Sequence, residues 1–169
     1  VISLLIPCIL IGSLSFGEII RYQEDTWIIF YPLLGQLSFI IFFISALAEG
    51  NRIPFDLSEA ESELISGYTT EYSGIKFALF YLAEYVHLFG ICVLGSIIFF
   101  GGSNGPFFSS NILIVIKALL FFTLILFIRW SFFRIRIDQL LKFNWVKLIP
   151  LSFAGLLLAC LLKYYMDFS

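Results

Sequence analysis

Residues 27–48, WIIFYPLLGQLSFIIFFISALA, run for 22 positions without a charged side chain. That length matches the roughly 20 apolar residues that carry a helix across a bilayer, and Trp27 and Tyr31 stand where an interfacial aromatic belt would sit. The stretch is predicted to be a membrane-spanning helix, and it sets the terms for the rest of the chain. Of 169 residues, 60% are hydrophobic and only 13% are charged, where a soluble domain carries roughly 25% charged residues. A soluble globular fold is excluded on that ground. Disordered, collagen-like and disulfide-framework chains are excluded by 19% aromatic residues with only 12 Gly, 5 Pro and 3 Cys. A transmembrane barrel needs alternating strands of about 10 residues, whereas the apolar runs here are continuous and longer.

Working outward, Val1–Ser15 is apolar but short for a full span, lacks the pattern of a signal peptide, and reads as starting inside a helix. Ile75–Phe100, Ile112–Ile128 and Val146–Leu162 complete an all-α, polytopic architecture of about five transmembrane helices in a single domain, with a polar connection at 17–26. The loops at 49–74 and 130–145 then fall on one side and those at 17–26 and 101–111 on the other. The first side holds Arg52, Lys76, Arg129, Arg134, Arg136, Lys142 and Lys147, the second Arg21 and Lys163. The positive-inside rule therefore assigns the first side to the cytoplasm or the mitochondrial matrix. The Gly-Gly-Ser-Asn-Gly-Pro turn at 101–106 carries no charge and reads as a flexible connection without chemistry. The 21 Phe and 25 Ile residues point to an AT-rich genome such as an organelle's.

The chemistry is concentrated beside the first span. Between Glu49 and Gly74 lie six carboxylates (Glu49, Asp56, Glu59, Glu61, Glu63, Glu71) against Arg52 alone. Capping-box spacings at Asp56/Glu59 and Ser58/Glu61, Pro54 upstream and Gly67 as a stop predict a short helix near 57–66. On it Glu59 and Glu63 are i,i+4 neighbours, a like-charge pair that costs an exposed helix about 0.2–0.5 kcal/mol. Partly buried, such a pair shares a proton. Two readings stand for this loop: a solvated acidic face, or carboxylates that act together.

Glu84 lies about 14 Å into the predicted helix from Ile75, and His87 about 18 Å in on nearly the same face. A carboxyl at that depth is a functional candidate by default, unless the helix begins later and leaves it at the interface. His87 is read as hydrogen-bonded packing. The second polar stretch, IRWSFFRIRIDQLLKFNW at 128–145, sets Arg129, Arg134, Arg136 and Asp138 among Trp130, Phe132 and Phe133. Such a mixture can anchor to lipid phosphates or offer donors to an anionic or quinonoid ligand, and arginine favours planar pairing with the carboxylates of the acidic loop. Cys8, Cys92 and Cys160 stand alone, without zinc or iron–sulfur spacing, so no metal site is expected. No phosphate-binding loop, dinucleotide fingerprint, HExxH or nucleophile elbow occurs, which leaves protons, ions, lipids and partners as the business of the chain.

The string Glu49–Tyr72, followed by Phe77-Ala-Leu-Phe-Tyr-Leu-Ala-Glu-Tyr85, resembles the signature of the NADH dehydrogenase subunit 1 family of respiratory complex I. Ile128–Leu140, with Trp145 and Leu148-Ile-Pro-Leu151, is similar to that family's last loop and final helix. The resemblance covers nearly the whole chain and corresponds to the second half of an eight-helix subunit. It implies a quinone-chamber set of Arg52, Phe55, Asp56, Glu59, Tyr81, Arg129, Arg134 and Arg136, and a proton path through Glu49, Glu61, Glu63, Glu71 and Glu84. At Tyr81 the family also has an aromatic, but one that differs in detail. Phe133 replaces a usual proline, which bears on the loop backbone. His87 has no counterpart.

The same resemblance implies a subunit of proton-pumping NADH:ubiquinone oxidoreductase in the mitochondrial inner membrane, with no complete active site of its own. It would bind no cofactor. Ubiquinone would be the substrate of the complex, and the flavin and iron–sulfur clusters would lie in partner subunits. The implied partners are the N-terminal half of the subunit as a separate chain, the quinone-site subunits of the matrix arm, small membrane subunits of the pumping arm and lipids, with no nucleic acid. A homologous subunit of an energy-converting hydrogenase and a purely structural membrane anchor are the alternatives.

Overall fold

The computed structural model describes residues 1–50, 54–55, 74–105, 110–133 and 135–168. The described elements are α1 (Ile2–Ile11), α2 (Phe16–Tyr22), a 3₁₀ turn at Ile28–Phe30, α3 (Leu34–Glu49), α4 (Ile75–Phe99), α5 (Asn111–Ser131), α6 (Ile137–Phe143), a π-helical turn at Asn144–Leu148 and α7 (Ile149–Phe168). Among the described residues, three helical stretches are long and apolar enough to cross a membrane: α4, α5 and the continuous run Ile137–Met166. The bent pair α1–α2 brings the count to four, where the sequence reading expects about five.

The missing span is the stretch expected to be the clearest. Helix α3 begins only at Leu34 and has 16 residues, about 24 Å at 1.5 Å per residue, against a hydrocarbon core of about 30 Å. The reason is Pro32, which pushes the residue before it out of the helical region, and Tyr31 is accordingly extended (φ −62°, ψ 122°). Leu33 follows at φ 66° and ψ −64°, a strained γ-turn in which the N–H of Leu34 donates to Pro32 O at 2.9 Å. The chain folds back so closely that a Cβ on Gly35 would lie 1.9 Å from the carbonyl oxygen of Ile28. Only glycine fits there.

Other boundaries move for similar reasons. The 17–26 connection contains helix α2, which follows α1 after a 62° bend. Gly12 ends α1 in the left-handed region (φ 85°), with its N–H donating to Cys8 O at 2.8 Å, a common glycine-ended helix stop. The 130–145 stretch is helical from Ile137 onward, because Ile137, Leu140 and Leu141 continue an i,i+3,i+4 apolar pattern while Lys142 and Lys147 can extend their heads to the interface. The predicted helix at 57–66 lies outside the described residues.

Helix α3 is the central element and touches α1, α4 and α7. On one side Ile6 of α1, Leu34 of α3 and Ala159 of α7 form a small core. Here α7 presents Ser152, Gly155 and Ala159, and a Cβ on Gly155 would stand 3.0 Å from both Ile6 and Leu37. On the other side six phenyl rings interlock: Phe39, Phe42 and Phe43 of α3, Phe99 and Phe100 at the end of α4, and Phe121 of α5. Their contacting centroids are 5.3 to 6.4 Å apart. Aromatic pairs at such distances add about 0.5–1.5 kcal/mol beyond burial alone. Gly95 admits the rings: a Cβ there would sit 2.7 Å from Phe42 Cε1 and 3.1 Å from Phe121 Cε1.

Gly90, one and a half turns earlier on the same helix, has nothing within 4 Å of its would-be Cβ. Gly95→Ala should therefore destabilise the bundle by about 1–3 kcal/mol through overpacking, whereas Gly90→Ala should be neutral or gain up to about 1 kcal/mol of helix propensity. Thermal unfolding in detergent micelles distinguishes them, and equal midpoints for the two variants would contradict the packing account.

Candidate functional site

The two polar stretches meet at one end of the bundle. The backbone N–H of Ile135 donates to the carbonyl oxygen of Pro54 at 3.1 Å, joining the beginning of the acidic segment to the turn between α5 and α6. Phe55 is buried at that junction. It helps enclose a cavity of about 250 Å³ whose other walls include Phe43 and Leu47 of α3, Ile128 of α5, Ile135 in the turn and Phe143 of α6. The lining is apolar throughout. Arg129, half-buried in the last turn of α5, and Arg136, exposed at the start of α6, directly follow the wall residues Ile128 and Ile135. The arrangement is an apolar pocket whose lining contains neither arginine, each being the chain neighbour of a wall residue. Arg129 also stands where a cation complements the C-terminal end of a helix dipole.

Glu49 marks a second cavity, of about 240 Å³, between α1, α3 and α4. Its carboxylate is exposed at the last residue of α3, where the helix dipole disfavours negative charge by about 0.3–1 kcal/mol. Stability therefore does not explain an acid here. Ser3 and Ser45 share the cavity with Glu49, alongside Ile91 and Leu94 of α4.

Helix α4 begins at Ile75, so Glu84 does lie well inside it and not at its start. Glu84 is half-buried and its Oε1 is shielded from solvent. Glu84 and Ile91 are seven residues apart, two helical turns, and share a face. That face leads from Glu84 to the wall of the Glu49 cavity. Tyr81 is exposed one turn earlier, its ring 4.8 Å from that of Phe77 and tilted by 54°. His87 is exposed.

The structure thus brings Phe55 together with the arginine-bearing turn, and sets Glu84 two helical turns before Ile91, a wall residue of the Glu49 cavity. Arg52, Asp56, Glu59, Glu61, Glu63, Glu71 and Arg134 lie outside the described residues. Sequence reasoning missed Ser3 and Ser45. Their signal was present as hydroxyls on otherwise apolar helices, but only the packing of α1 on α3 places them in one cavity.

Fold and site together define a polytopic helical membrane protein with an apolar cavity where its two polar stretches meet. The chain belongs to the NADH dehydrogenase family, whose profile matches residues 1–160. It is 46% identical over 167 residues to an NADH-quinone oxidoreductase subunit of Bacillus cytotoxicus, and 44% identical to the subunits of the same name from Bacillus thuringiensis and Bacillus anthracis. Each match covers 96% of this chain. The chain spans about half the length, 49%, of these curated relatives, and corresponds to their C-terminal half.

Phe55 is the apolar side chain that holds the acidic segment to the second turn. Truncation in Phe55→Ala should cost about 3 kcal/mol or more if the cavity does not collapse, and should free the neighbouring backbone. Tryptic cleavage after Arg136 is expected to accelerate in detergent-solubilised protein. Cleavage at the wild-type rate would mean that the two segments are held together by something else.

Proposed function

We propose that the chain forms the membrane side of the quinone chamber, and the carboxylate path leading from it, in a proton-pumping NADH:quinone oxidoreductase. Family membership and the name carried by its relatives support the class. The observation that carries the site is the apolar cavity around Phe55, beside the hydrogen bond that joins Ile135 to Pro54, with Arg129 and Arg136 next in the chain to its wall residues Ile128 and Ile135. An apolar wall suits a hydrophobic quinone, and guanidinium donors suit its carbonyl oxygens as negative charge develops on them. Arg52, Phe55, Asp56, Glu59, Tyr81, Arg129, Arg134 and Arg136 compose the chamber in this reading. Glu49, Glu61, Glu63, Glu71 and Glu84 compose the path.

Quinone reduction to the quinol consumes two electrons and two protons. The electrons arrive through flavin and iron–sulfur groups held by partner subunits. This chain's part is electrostatic. Charge that develops beside Asp56 and Glu59 changes the proton occupancy of a row of interacting carboxylates as a unit. Glu84, kept inside a membrane helix where an ionisable group is costly, passes that change toward the Glu49 cavity and its two serines. No covalent intermediate is needed. The partners in this reading are the relatives' N-terminal half, on the same or a separate polypeptide, the quinone-site subunits and the adjoining membrane subunits. The membrane is an energy-transducing one, and the Phe and Ile bias supports the mitochondrial inner membrane.

Glu84→Gln keeps shape and hydrogen bonding but removes the exchangeable charge. The assembled complex should form and lose proton translocation, measured as acidification of sealed vesicles driven by NADH. Translocation at the wild-type ratio would exclude Glu84 from the path. Arg136→Ala should instead lower quinone turnover by about tenfold, the worth of one charge-assisted hydrogen bond, and unchanged turnover would remove Arg136 from the chamber.

A further inference from the structure

One charged group within the apolar bundle has no part in the reading above. Lys117, in the second turn of α5, is half-buried, and its Nζ donates to the carbonyl oxygens of Phe100 at 2.5 Å, Gly102 at 2.9 Å and Asn104 at 2.5 Å. An ammonium has three N–H groups, so these acceptors saturate it. The face of Trp27 covers it at 4.6 Å from the ring centroid, a cation–π contact. The carbonyls converge because Gly101 and Gly102 adopt φ of 71° and 51°, a left-handed pair that glycine takes at little cost. The uncharged turn after α4 is thus built around a cation supplied by α5.

Neighbouring polar groups tie down the same place. Asn104 Nδ2 donates to Ile20 O at 2.6 Å. The buried Gln23 donates to Ile97 O at 3.1 Å and accepts from the N–H of Ile28 at 3.1 Å. All of this holds the C-terminal end of α4. Its other end is different: from Ile75 to His87 nearly every side chain is exposed, whereas Leu88, Cys92, Ser96 and Phe99 are buried. The half of α4 that bears Tyr81 and Glu84 continues from that fixed end as one unbroken helix.

We propose that Lys117 is a positioning residue: a tethered cation that locks the end of α4 and through it sets the place of Glu84. The second part rests on the role given to Glu84 above. A neutral side chain at 117 leaves three converging carbonyls without their charged donor. The turn then opens more often, and α4 loses its fixed end.

The test uses the assembled complex carrying Lys117→Met, which keeps length and removes both charge and donors. Amide hydrogen exchange across 96–104 is expected to rise by about tenfold to a hundredfold. Protons moved per NADH oxidised should fall, while the KM for a short-chain ubiquinone stays at the wild-type value. A purely structural role would move stability without moving that ratio. If the Met variant does not assemble, Gly102→Ala redirects one carbonyl without touching the lysine and should show both changes in smaller degree. Wild-type exchange in the variant overturns the lock. Faster exchange with an unchanged proton ratio overturns the positioning role. Should Glu84→Gln itself pump normally, the positioning role falls with that of Glu84, and the exchange result still decides the lock separately.

Discussion

A bilayer offers no hydrogen-bond partner to a stray polar group and makes every charge costly. That constraint orders this structure. Hydroxyls inside the bundle turn back on their own helices: Ser38 Oγ donates to Gly35 O at 2.9 Å, Ser96 Oγ to Val93 O at 2.7 Å and Ser152 Oγ to Ile149 O at 2.8 Å. The half-buried ammonium of Lys117 is met by three carbonyls and an indole ring. The acidic segment and the α5–α6 turn come together at one end, and Glu18, Arg21, Glu24 and Asp25 are exposed around α2 at the other.

The two ends of the bundle follow from this sorting. At one, buried amides and a lysine close the backbone turns tightly, and the six-ring phenylalanine cluster lies beside them. At the other, apolar cavities open near an acid at a helix C-terminus and a carboxyl on the third turn of a membrane helix. The lysine end has a cavity of its own, of about 310 Å³ between Phe39, Phe100, Lys117 and Phe121, so each end leaves space beside its packed side chains. The central, short α3 joins both halves, with its phenyl face toward α4 and α5 and its small apolar face toward α1 and α7.

Much of this was legible in the residues. The membrane class, the all-helical architecture and the start of α4 follow from continuous apolar runs, and the depth of Glu84 follows from the start of α4. The family could be read from the Glu49–Tyr72 string because so specific a run of acids, Pro54 and Gly67 has few other uses. The span count was not legible in the same way. Hydropathy treats 27–48 as one apolar run, whereas Pro32 and the close approach at Gly35 break it, and the helical 137–148 stretch hides behind its lysines. The Lys117 cage was the least visible feature. Its acceptors are backbone atoms, which carry no side-chain signature, and the glycines that aim them read as ordinary turn residues.

The central claim is that a quinone is received where Pro54–Phe55 meets the α5–α6 turn. The most direct measurement is photolabelling of the intact complex with an azido-substituted ubiquinone, followed by peptide mass spectrometry. The account predicts labelled peptides from 54–55 and from 128–143 of this chain, with labelling suppressed by excess unlabelled ubiquinone. Competable labelling confined to other subunits, with none on these peptides, would contradict it.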